Sequence, residues 1–410
     1  MSFFNSVEYL EITALWIAAY FAFSKYFPGR HVAFLLAMSL WWAHGFFGIP
    51  FSFLAVRLVA LCIFYWAGTF FVAGRAKTIA ASGLFAATIF FWLYLRFPNI
   101  MYYFDLPSPK GSEFWRHWVV YFVGVPYTVC RLISFVVDSR KGRAENPGLL
   151  RFLLYVCYFP TLLSGPVTNY SAFTRVAPPR VDRDFLHSNV VPGIKRITIG
   201  IFKRQLLASF LWSISLPYIV IEKADVQHLW IGAYAYYLYL FVDFSGFTDL
   251  AVGVSKIMNV EVPENFHAPL LARNPRDFWQ RWHISFLDWL NQYVMTPLYS
   301  FELRYFPWVP LPILSLIAIL ATFLFAGVWH GEGTRFLAYG ALNGMVLWAY
   351  RIYDEQLRRR APELRKRLLS SKLVTALSVF LCFHYVVFAL MVFSLDRPML
   401  RQVLGRMWNG

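Results

Sequence analysis

Long stretches without a charged residue constrain this chain more than any other feature. The longest are Tyr305–Gly331 with 27 residues, His31–Val56 with 26, and Leu373–Leu395 and Phe152–Thr174 with 23 each. A bilayer core about 30 Å thick needs roughly 20 apolar residues in a helix. Shorter stretches, which can span if their flanking side chains reach the headgroups, are Thr78–Leu95, Gln205–Ile221 and Val226–Val242. The pattern predicts an all-α polytopic membrane protein with roughly ten to twelve transmembrane or re-entrant helices.

Composition and chain breaks add detail to this prediction. Hydrophobic residues make up 59% of the chain and charged residues only 15%, whereas soluble domains carry about 25% charged residues. Gly and Pro interrupt the apolar stretches at Gly48–Pro50, Gly124–Pro126 and Gly165–Pro166. Membrane helices tolerate such breaks only where neighbouring protein or water satisfies the freed backbone groups. We therefore expect re-entrant pieces around a cavity.

The net charge of +16 is not a nucleic-acid signature. Basic residues lie in short loops between apolar stretches, most densely in Arg351–Lys372, and an excess of Lys and Arg marks cytoplasmic loops. We place this loop in the cytoplasm, with the C-terminus outside. The charge either reflects topology alone or suits anionic lipid headgroups or an acidic soluble partner.

His330 is the leading candidate for chemistry. It ends the longest uncharged stretch, within Gly327-Val328-Trp329-His330-Gly331. A titratable group at membrane depth is costly and is a functional hypothesis by default. An imidazole is also a natural general base for a hydroxyl nucleophile, because its pKa lies near neutrality. The alternative is a hydrogen-bonded structural histidine.

Other polar residues lie in apolar surroundings. His283, in the polar stretch Asn259–Tyr299, is either a second acid/base group or a structural partner of Asp277 or Asp288. Asp243 and Asp249 are six residues apart and share no helical face. We expect them to pair with cations such as Arg276 or Arg281, or to relay protons. His384 is interpreted as a packed core residue.

Several motifs in order resemble the membrane-bound O-acyltransferase family. They are Ser164-Gly165-Pro166, Val242–Asp249 (VDFSGFTD), Pro263–Phe266 (PENF), Arg273–Phe286 (RNPRDFWQRWHISF) and Trp329-His330-Gly331. The resemblance covers roughly Tyr155 to Tyr350. It implies a ring of helices around a tunnel open to both membrane faces, and it matches His330 to the catalytic histidine and His283 to the family's second characteristic histidine.

The resemblance also implies a reaction. An activated acyl thioester, carried by acyl carrier protein phosphopantetheine or by coenzyme A, enters from the cytoplasm, and a hydroxyl acceptor comes from the other side. No bound cofactor or metal is expected. Candidate partners are the carrier, membrane lipids and an extracytoplasmic acyltransferase. Trp329 and Trp282 are either cavity walls or core aromatics. The predicted substrate-binding residues are Trp329, Trp282, Asn274, Arg281, Asp243 and Asp249.

The bacterial branch of the family is the most similar. It includes the D-alanyl transfer protein of teichoic-acid modification and the alginate-type polysaccharide O-acetylases, all of the cytoplasmic membrane. The segment after Pro297 reads LYSFELRYF and lacks a Gly-Gly-Asn-Arg run associated with the acetylases, which favours D-alanyl transfer.

We expect one integral membrane domain over residues 1–410. Residues 1–150 would be mainly structural helices, residues 151–353 the catalytic core, and residues 354–410 the basic loop and last helix. Two other classes remain open. A transporter or channel would use Asp243, Asp249 and His330 as a pathway, and a non-catalytic scaffold would keep only the fold.

Overall fold

The computed structural model describes residues 7–45, 51–70, 83, 124–142, 148–173, 176–179, 182–219, 221, 223–331 and 333–409. Every regular element in these ranges is a helix, and one isolated antiparallel bridge joins Phe266 to Trp282. The all-α prediction is confirmed.

The helices, in chain order, are α1 (Val7–Tyr26), α2 (His31–Gly45), α3 (Phe51–Phe70), α4 (Val125–Arg140), α5 (Leu149–Cys157), α6 (Val191–Phe202), α7 (Val226–Ile257), α8 (Pro275–Trp279), α9 (Ile284–Leu290), α10 (Thr296–Tyr305), α11 (Leu311–His330), α12 (Thr334–Arg360), α13 (Pro362–Ser370), α14 (Lys372–Ser394) and α15 (Arg397–Asn409). Short helical turns between them include Pro28–Arg30, Phe159–Thr161, Tyr170–Phe173, Arg183–Phe185, Ser209–Ser213 and Pro269–Leu271, and wider π-helical turns are Leu186–Val190, Lys203–Ala208 and Asn291–Met295.

Three of the described helices are long and apolar enough to cross a bilayer. They are α7, α11 and α14, with mean hydropathies of 1.3, 2.5 and 2.3 over their most apolar windows. Helix α11 lies within the predicted span Tyr305–Gly331, and α14 coincides with Leu373–Leu395. Helix α7 contains the predicted span Val226–Val242. The chain is therefore a helical membrane protein. The predicted span Thr78–Leu95, apart from Gly83, and the break at Gly48–Pro50 lie outside the described residues.

The uncharged stretch Phe152–Thr174 is not one continuous span, and the predicted interruption at Gly165–Pro166 lies in a non-helical part of it. Helix α5 ends at Cys157, and the chain turns through Phe159–Thr161 and Gly165. The buried Arg131 guanidinium donates to the Val156 carbonyl at 2.8 Å and to the Thr161 carbonyl at 2.5 Å. Because a neighbouring side chain satisfies these backbone oxygens, an apolar segment can leave the helical path here.

Two further segments differ from the predictions. Gln205–Ile221 is not one straight span, because its helix ends at Ser213 and turns follow. The predicted loop Arg351–Lys372 (the basic segment) is largely helical, since it holds the end of α12 and all of α13. Arg358 contacts Glu355 at 2.6 Å three residues away, which favours helix. Arg365 contacts Asp354 at 2.9 Å and so joins α13 to α12.

The chain forms two compact units. The first comprises Met1–Ile201 and Phe247–Pro263, and the second comprises Phe202–Gly246 and Glu264–Gly410. In the first unit, a core of aromatic side chains includes Trp42 stacked on Phe159 at 5.2 Å between ring centroids. The second unit contains the helices that carry His283 and His330. The proposed division at residues 150 and 353 stays a prediction.

Within the second unit, α11 and α12 form a tightly packed antiparallel pair. The Trp348 indole N–H donates to the Pro312 carbonyl at 2.9 Å, which places the start of α11 beside the latter part of α12. Further along, Gly340 lies against the Phe323 backbone and Gly327 against the Phe336 backbone, and a Cβ at either position would lie 2.3 Å from the facing carbonyl oxygen. Small residues permit this backbone approach between membrane helices.

Candidate active site

His330 is the last residue of α11 and is half-buried where the ends of three helices meet. Its ring lies 5.3 Å from the Phe393 ring near the end of α14 and 6.3 Å from the Tyr339 ring near the start of α12. The basic segment joins the opposite ends of α12 and α14. Because α11 is 20 residues long, about 30 Å of helix separates its start, on the side of the basic segment, from His330.

His283 lies in the same group of aromatic side chains. It is 4% exposed and immediately precedes α9 in a left-handed backbone conformation, with φ 49° and ψ 46°. That conformation is strained for a non-glycine residue and, where observed, motivates a hypothesis of function. Its imidazole stacks on Phe286 at 4.9 Å, and the Phe286 ring lies 6.3 Å from His330.

Both histidines line one small cavity of about 130 Å³. The remaining walls are mostly aromatic or aliphatic and include Leu240, Phe244, Trp282, Phe323, Leu390 and Phe393. Two imidazoles in an apolar, water-poor space can exchange protons with a bound hydroxyl without competition from bulk water. The site therefore has the groups that general acid–base chemistry requires.

Trp279 also lines this cavity, although it is not among the predicted site residues. It ends α8, is 9% exposed, and its indole Nε1 has no hydrogen-bond partner among the residues that the structure describes. A buried donor without an acceptor costs about 1–3 kcal/mol, so a substrate oxygen that fills this role would bind favourably. The available signal was its place within the motif Arg273–Phe286, four residues before His283.

Trp282 and Trp329 differ in position. Trp282 lines the cavity, and its ring stacks on Phe278 at 5.6 Å. Trp329 is buried and packs on Phe286 at 4.3 Å, so it supports a cavity residue from behind. Of the two tryptophans predicted to wall the cavity, only Trp282 is among the lining residues.

Asn274 and Arg281 do not line the cavity and act locally. The Asn274 Oδ1 accepts from the Asp277 backbone N–H at 2.8 Å, which caps the start of α8. Arg281 donates from Nε to Asp277 Oδ1 at 2.6 Å and from a terminal nitrogen to the His267 carbonyl. Both hold the segment that carries Trp279 and Trp282, and their predicted contact with substrate stays a prediction.

The two carboxylates of α7 are in ion pairs. Asp243 pairs with Arg204 at 3.0 Å in the second unit, and Asp249 pairs with Arg196 at 2.6 Å in the first. Pairing with a cation was predicted, but the suggested partners Arg276 and Arg281 were wrong. Neither carboxylate lines the cavity of the two histidines. Sequence spacing could not identify the partners, because they lie about 40 to 50 residues away along the chain.

In the part of the chain that is described, no group of three or more His, Cys, Asp or Glu side chains is placed to hold a metal ion.

The fold and the site together define a helical membrane protein with two imidazoles in one small, mostly apolar cavity. Residues 44–392 match the membrane-bound O-acyltransferase family, and the chain belongs to this family. It is an O-acyltransferase, as the resemblance predicted.

Individual relatives show the breadth of the family. The chain is similar to a teichoic acid D-alanyltransferase of Bacillus subtilis (strain 168), with 28% identity over 346 residues, 82% of this chain and 85% of that protein. It is 29% identical over 219 residues to a peptidoglycan O-acetyltransferase of Helicobacter pylori (strain ATCC 700392 / 26695), covering 51% of this chain and 39% of that protein. A probable alginate O-acetylase of Pseudomonas fluorescens is 28% identical over 226 residues, 55% of this chain and 44% of that protein.

Proposed function

We propose that this protein moves a D-alanyl or acetyl group from a cytoplasmic thioester donor towards a hydroxyl of an extracytoplasmic cell-envelope glycopolymer or its carrier, in the bacterial cytoplasmic membrane. His330 acts as the general base. The observation that carries the proposal is the shared apolar cavity of His330 and His283, at the helix ends opposite the basic segment.

The reaction needs one proton acceptor and one leaving group. His330 removes the proton from the acceptor hydroxyl as its oxygen attacks the acyl carbonyl carbon. The C–S bond of the thioester then breaks, and the thiolate takes up the proton from His330. A positioned base of this kind typically contributes about 10²–10⁴-fold. The products are the ester and the free thiol, so atoms and charge balance.

Trp279 completes the site in this proposal. As the tetrahedral intermediate forms, negative charge develops on the former carbonyl oxygen. The Trp279 indole N–H is a buried donor without a described acceptor beside the same cavity. Donors fixed in advance around such an oxygen stabilise it strongly, and losing one costs about 10²–10³ in kcat. His283 either shares the proton with His330 or holds the cavity through its stacking on Phe286.

The donor side is assigned to the basic segment. Arg358, Arg359 and Arg360 are exposed there and suit an acidic carrier protein or the phosphates of coenzyme A. The acceptor side would then be the opposite end of α11. An extracytoplasmic acyltransferase that passes the group onward is a further proposed partner. The D-alanyl assignment is favoured over acetyl by the match that extends over 82% of the chain.

A transporter is the second candidate, and the ion pairs weaken it. A proton pathway through α7 would need carboxylates that release their charge. Arg204 and Arg196 instead lie 3.0 and 2.6 Å from Asp243 and Asp249, so both carboxylates are engaged in ion pairs, and neither lines the histidine cavity.

The deciding experiment measures acyl transfer in proteoliposomes that contain wild type, His330→Ala or the control His228→Ala. His228 is exposed and pairs only with its neighbour Asp225 in the described structure. Labelled D-alanine and labelled acetate, each loaded on its donor, are followed separately into envelope material.

Loss of labelling in His330→Ala, with wild-type labelling in His228→Ala and equal yields of folded protein, supports the assignment. The label that is lost names the acyl group. Equal labelling by all three proteins would show that His330 is structural and that the mechanism is wrong.

A further inference from the structure

A second concave surface lies between α14 and α15, outside the histidine cavity. This α14–α15 groove has a volume of about 850 Å³ and is lined mainly by apolar side chains, among them Val387, Phe388, Met391 and Leu404. Sites for small molecules usually measure about 300–1,000 Å³. The groove is therefore large enough for an extended apolar ligand.

Two arginines interrupt the apolar lining. Arg397 and Arg401 are four residues apart on α15, so they lie on one face of the helix, and both line the groove. Both are exposed, and neither has an ion-pair partner among the described residues. The nearby Asp396 carboxylate accepts from the Met399 backbone N–H at 3.0 Å and caps the start of α15. The groove thus combines an apolar floor with two cations that lack a described counter-ion.

The opposite face of α15 is fixed to the rest of the unit. Val403 is completely buried, and the Arg406 guanidinium donates to the Ile221 carbonyl. The other wall is α14, which carries His384. His384 was expected to be a packed core residue, but it is half-exposed and lines the groove. Its Nε2 lies 3.1 Å from the Tyr234 hydroxyl. Both walls are anchored, so the groove is a formed site.

The position of the groove indicates which leaflet it faces. Helix α14 starts beside the basic segment and ends at Ser394, next to α15. The arginines therefore lie at the end of α14 opposite the basic segment. Trp230 and the 90% exposed Trp408 also line the groove, and tryptophan is enriched at the membrane–water interface.

We propose that the α14–α15 groove binds a membrane phospholipid with an anionic headgroup. Its phosphate lies between Arg397 and Arg401, which present planar donors suited to phosphate oxygens, and an acyl chain follows Phe388 and Leu404. The charge of the arginines selects the headgroup and the apolar floor retains the chain. This inference does not depend on the proposed reaction.

The groove also borders the active site through α14. Leu390 and Phe393 line the histidine cavity, whereas Phe388 and Met391 on the same helix line the groove. A lipid in the groove therefore supports the helix that forms one wall of the cavity.

The test measures lipid binding to the detergent-purified full chain by native mass spectrometry. Phosphatidylglycerol and phosphatidylcholine with identical acyl chains are compared on wild type and on Arg397→Gln/Arg401→Gln. We expect wild type to prefer phosphatidylglycerol and the double variant to lose up to about 30-fold of that preference. Each basic residue near an anionic lipid surface contributes about 1 kcal/mol, and 1.4 kcal/mol is a factor of ten.

Two variants serve as comparisons. Arg183→Gln/Lys256→Gln removes the same charge from exposed positions outside the groove and should keep the preference. Gly405→Trp places a large ring in the groove, where an added Cβ meets nothing within 4 Å. It should reduce binding of both lipids without changing the unfolding midpoint.

The proposal is wrong if wild type shows no preference for phosphatidylglycerol over phosphatidylcholine. It is also wrong if the two double variants lose that preference equally, or if Gly405→Trp leaves lipid binding unchanged. A co-purifying membrane helix that occupies the groove and excludes lipid would also contradict it.

Discussion

Replacing Gly340 by alanine tests whether α11–α12 packing positions the catalytic cavity. An added Cβ would lie 2.3 Å from the Phe323 carbonyl oxygen, whereas real Cβ contacts are essentially never under 3.0 Å. Both atoms belong to or adjoin helical backbone, so no side-chain rotation relieves the clash. The two helices must separate locally by about 0.7 Å to reach that limit.

This separation is large for the active site. Tyr339 adjoins Gly340, and both Tyr339 and Phe323 line the cavity of His330. Overpacking typically costs about 1–3 kcal/mol of stability, and a displacement of about 1 Å of catalytic groups can reduce the rate about 10²-fold. We expect Gly340→Ala to lower the unfolding midpoint and to reduce kcat by roughly one to two orders of magnitude.

Gly344→Ala is the matched control. It lies one turn further along the same helix, and its added Cβ would lie 3.3 Å from Leu320 and Phe323 atoms. A few tenths of an ångström of adjustment suffice there. Both variants are assayed for thermal unfolding in detergent and for acyl transfer per folded protein. If Gly340→Ala matches Gly344→Ala in both assays, the helix pair yields easily and does not fix the site.

Three further predictions concern single residues. Trp279→Phe should reduce kcat by about 10²–10³-fold. The unfolding midpoint should change little, because the lost ring packing is offset by removal of an unsatisfied donor. An unchanged steady-state kcat would exclude Trp279 as a donor to the substrate. Arg131→Met should reduce the free energy of unfolding by about 2–6 kcal/mol, because the Val156 and Thr161 carbonyls lose their donors and each buried group left unsatisfied costs about 1–3 kcal/mol. A chemical-denaturant series checks this, and a loss below about 1 kcal/mol would contradict it. Burial raises the pKa of Glu302, whose carboxylate has no described hydrogen-bond partner. The folded state therefore retains this proton above the ordinary pKa, and its contribution to stability falls as pH rises through the raised value. Glu302→Gln should remove that part of the pH dependence in a thermal-shift series, and identical pH profiles would refute the assignment.

The sequence alone determined the class of the protein and selected its leading candidate residue. Hydropathy is a local property, so the helices α11 and α14 could be predicted within a few residues from Tyr305–Gly331 and Leu373–Leu395. His330 could be selected because a titratable side chain at membrane depth is costly and therefore indicates a function. The ordered motifs then indicated the family.

Only the tertiary structure decided which side chains meet. The ion-pair partners of Asp243 and Asp249 are Arg204 and Arg196, and helix packing chooses such partners irrespective of spacing along the chain. The apolar stretch Phe152–Thr174 breaks because Arg131, from another helix, satisfies its carbonyls. Trp279 could likewise not be separated from other buried tryptophans in the sequence. Its role depends on whether an acceptor lies beside its Nε1, which is a property of the folded chain.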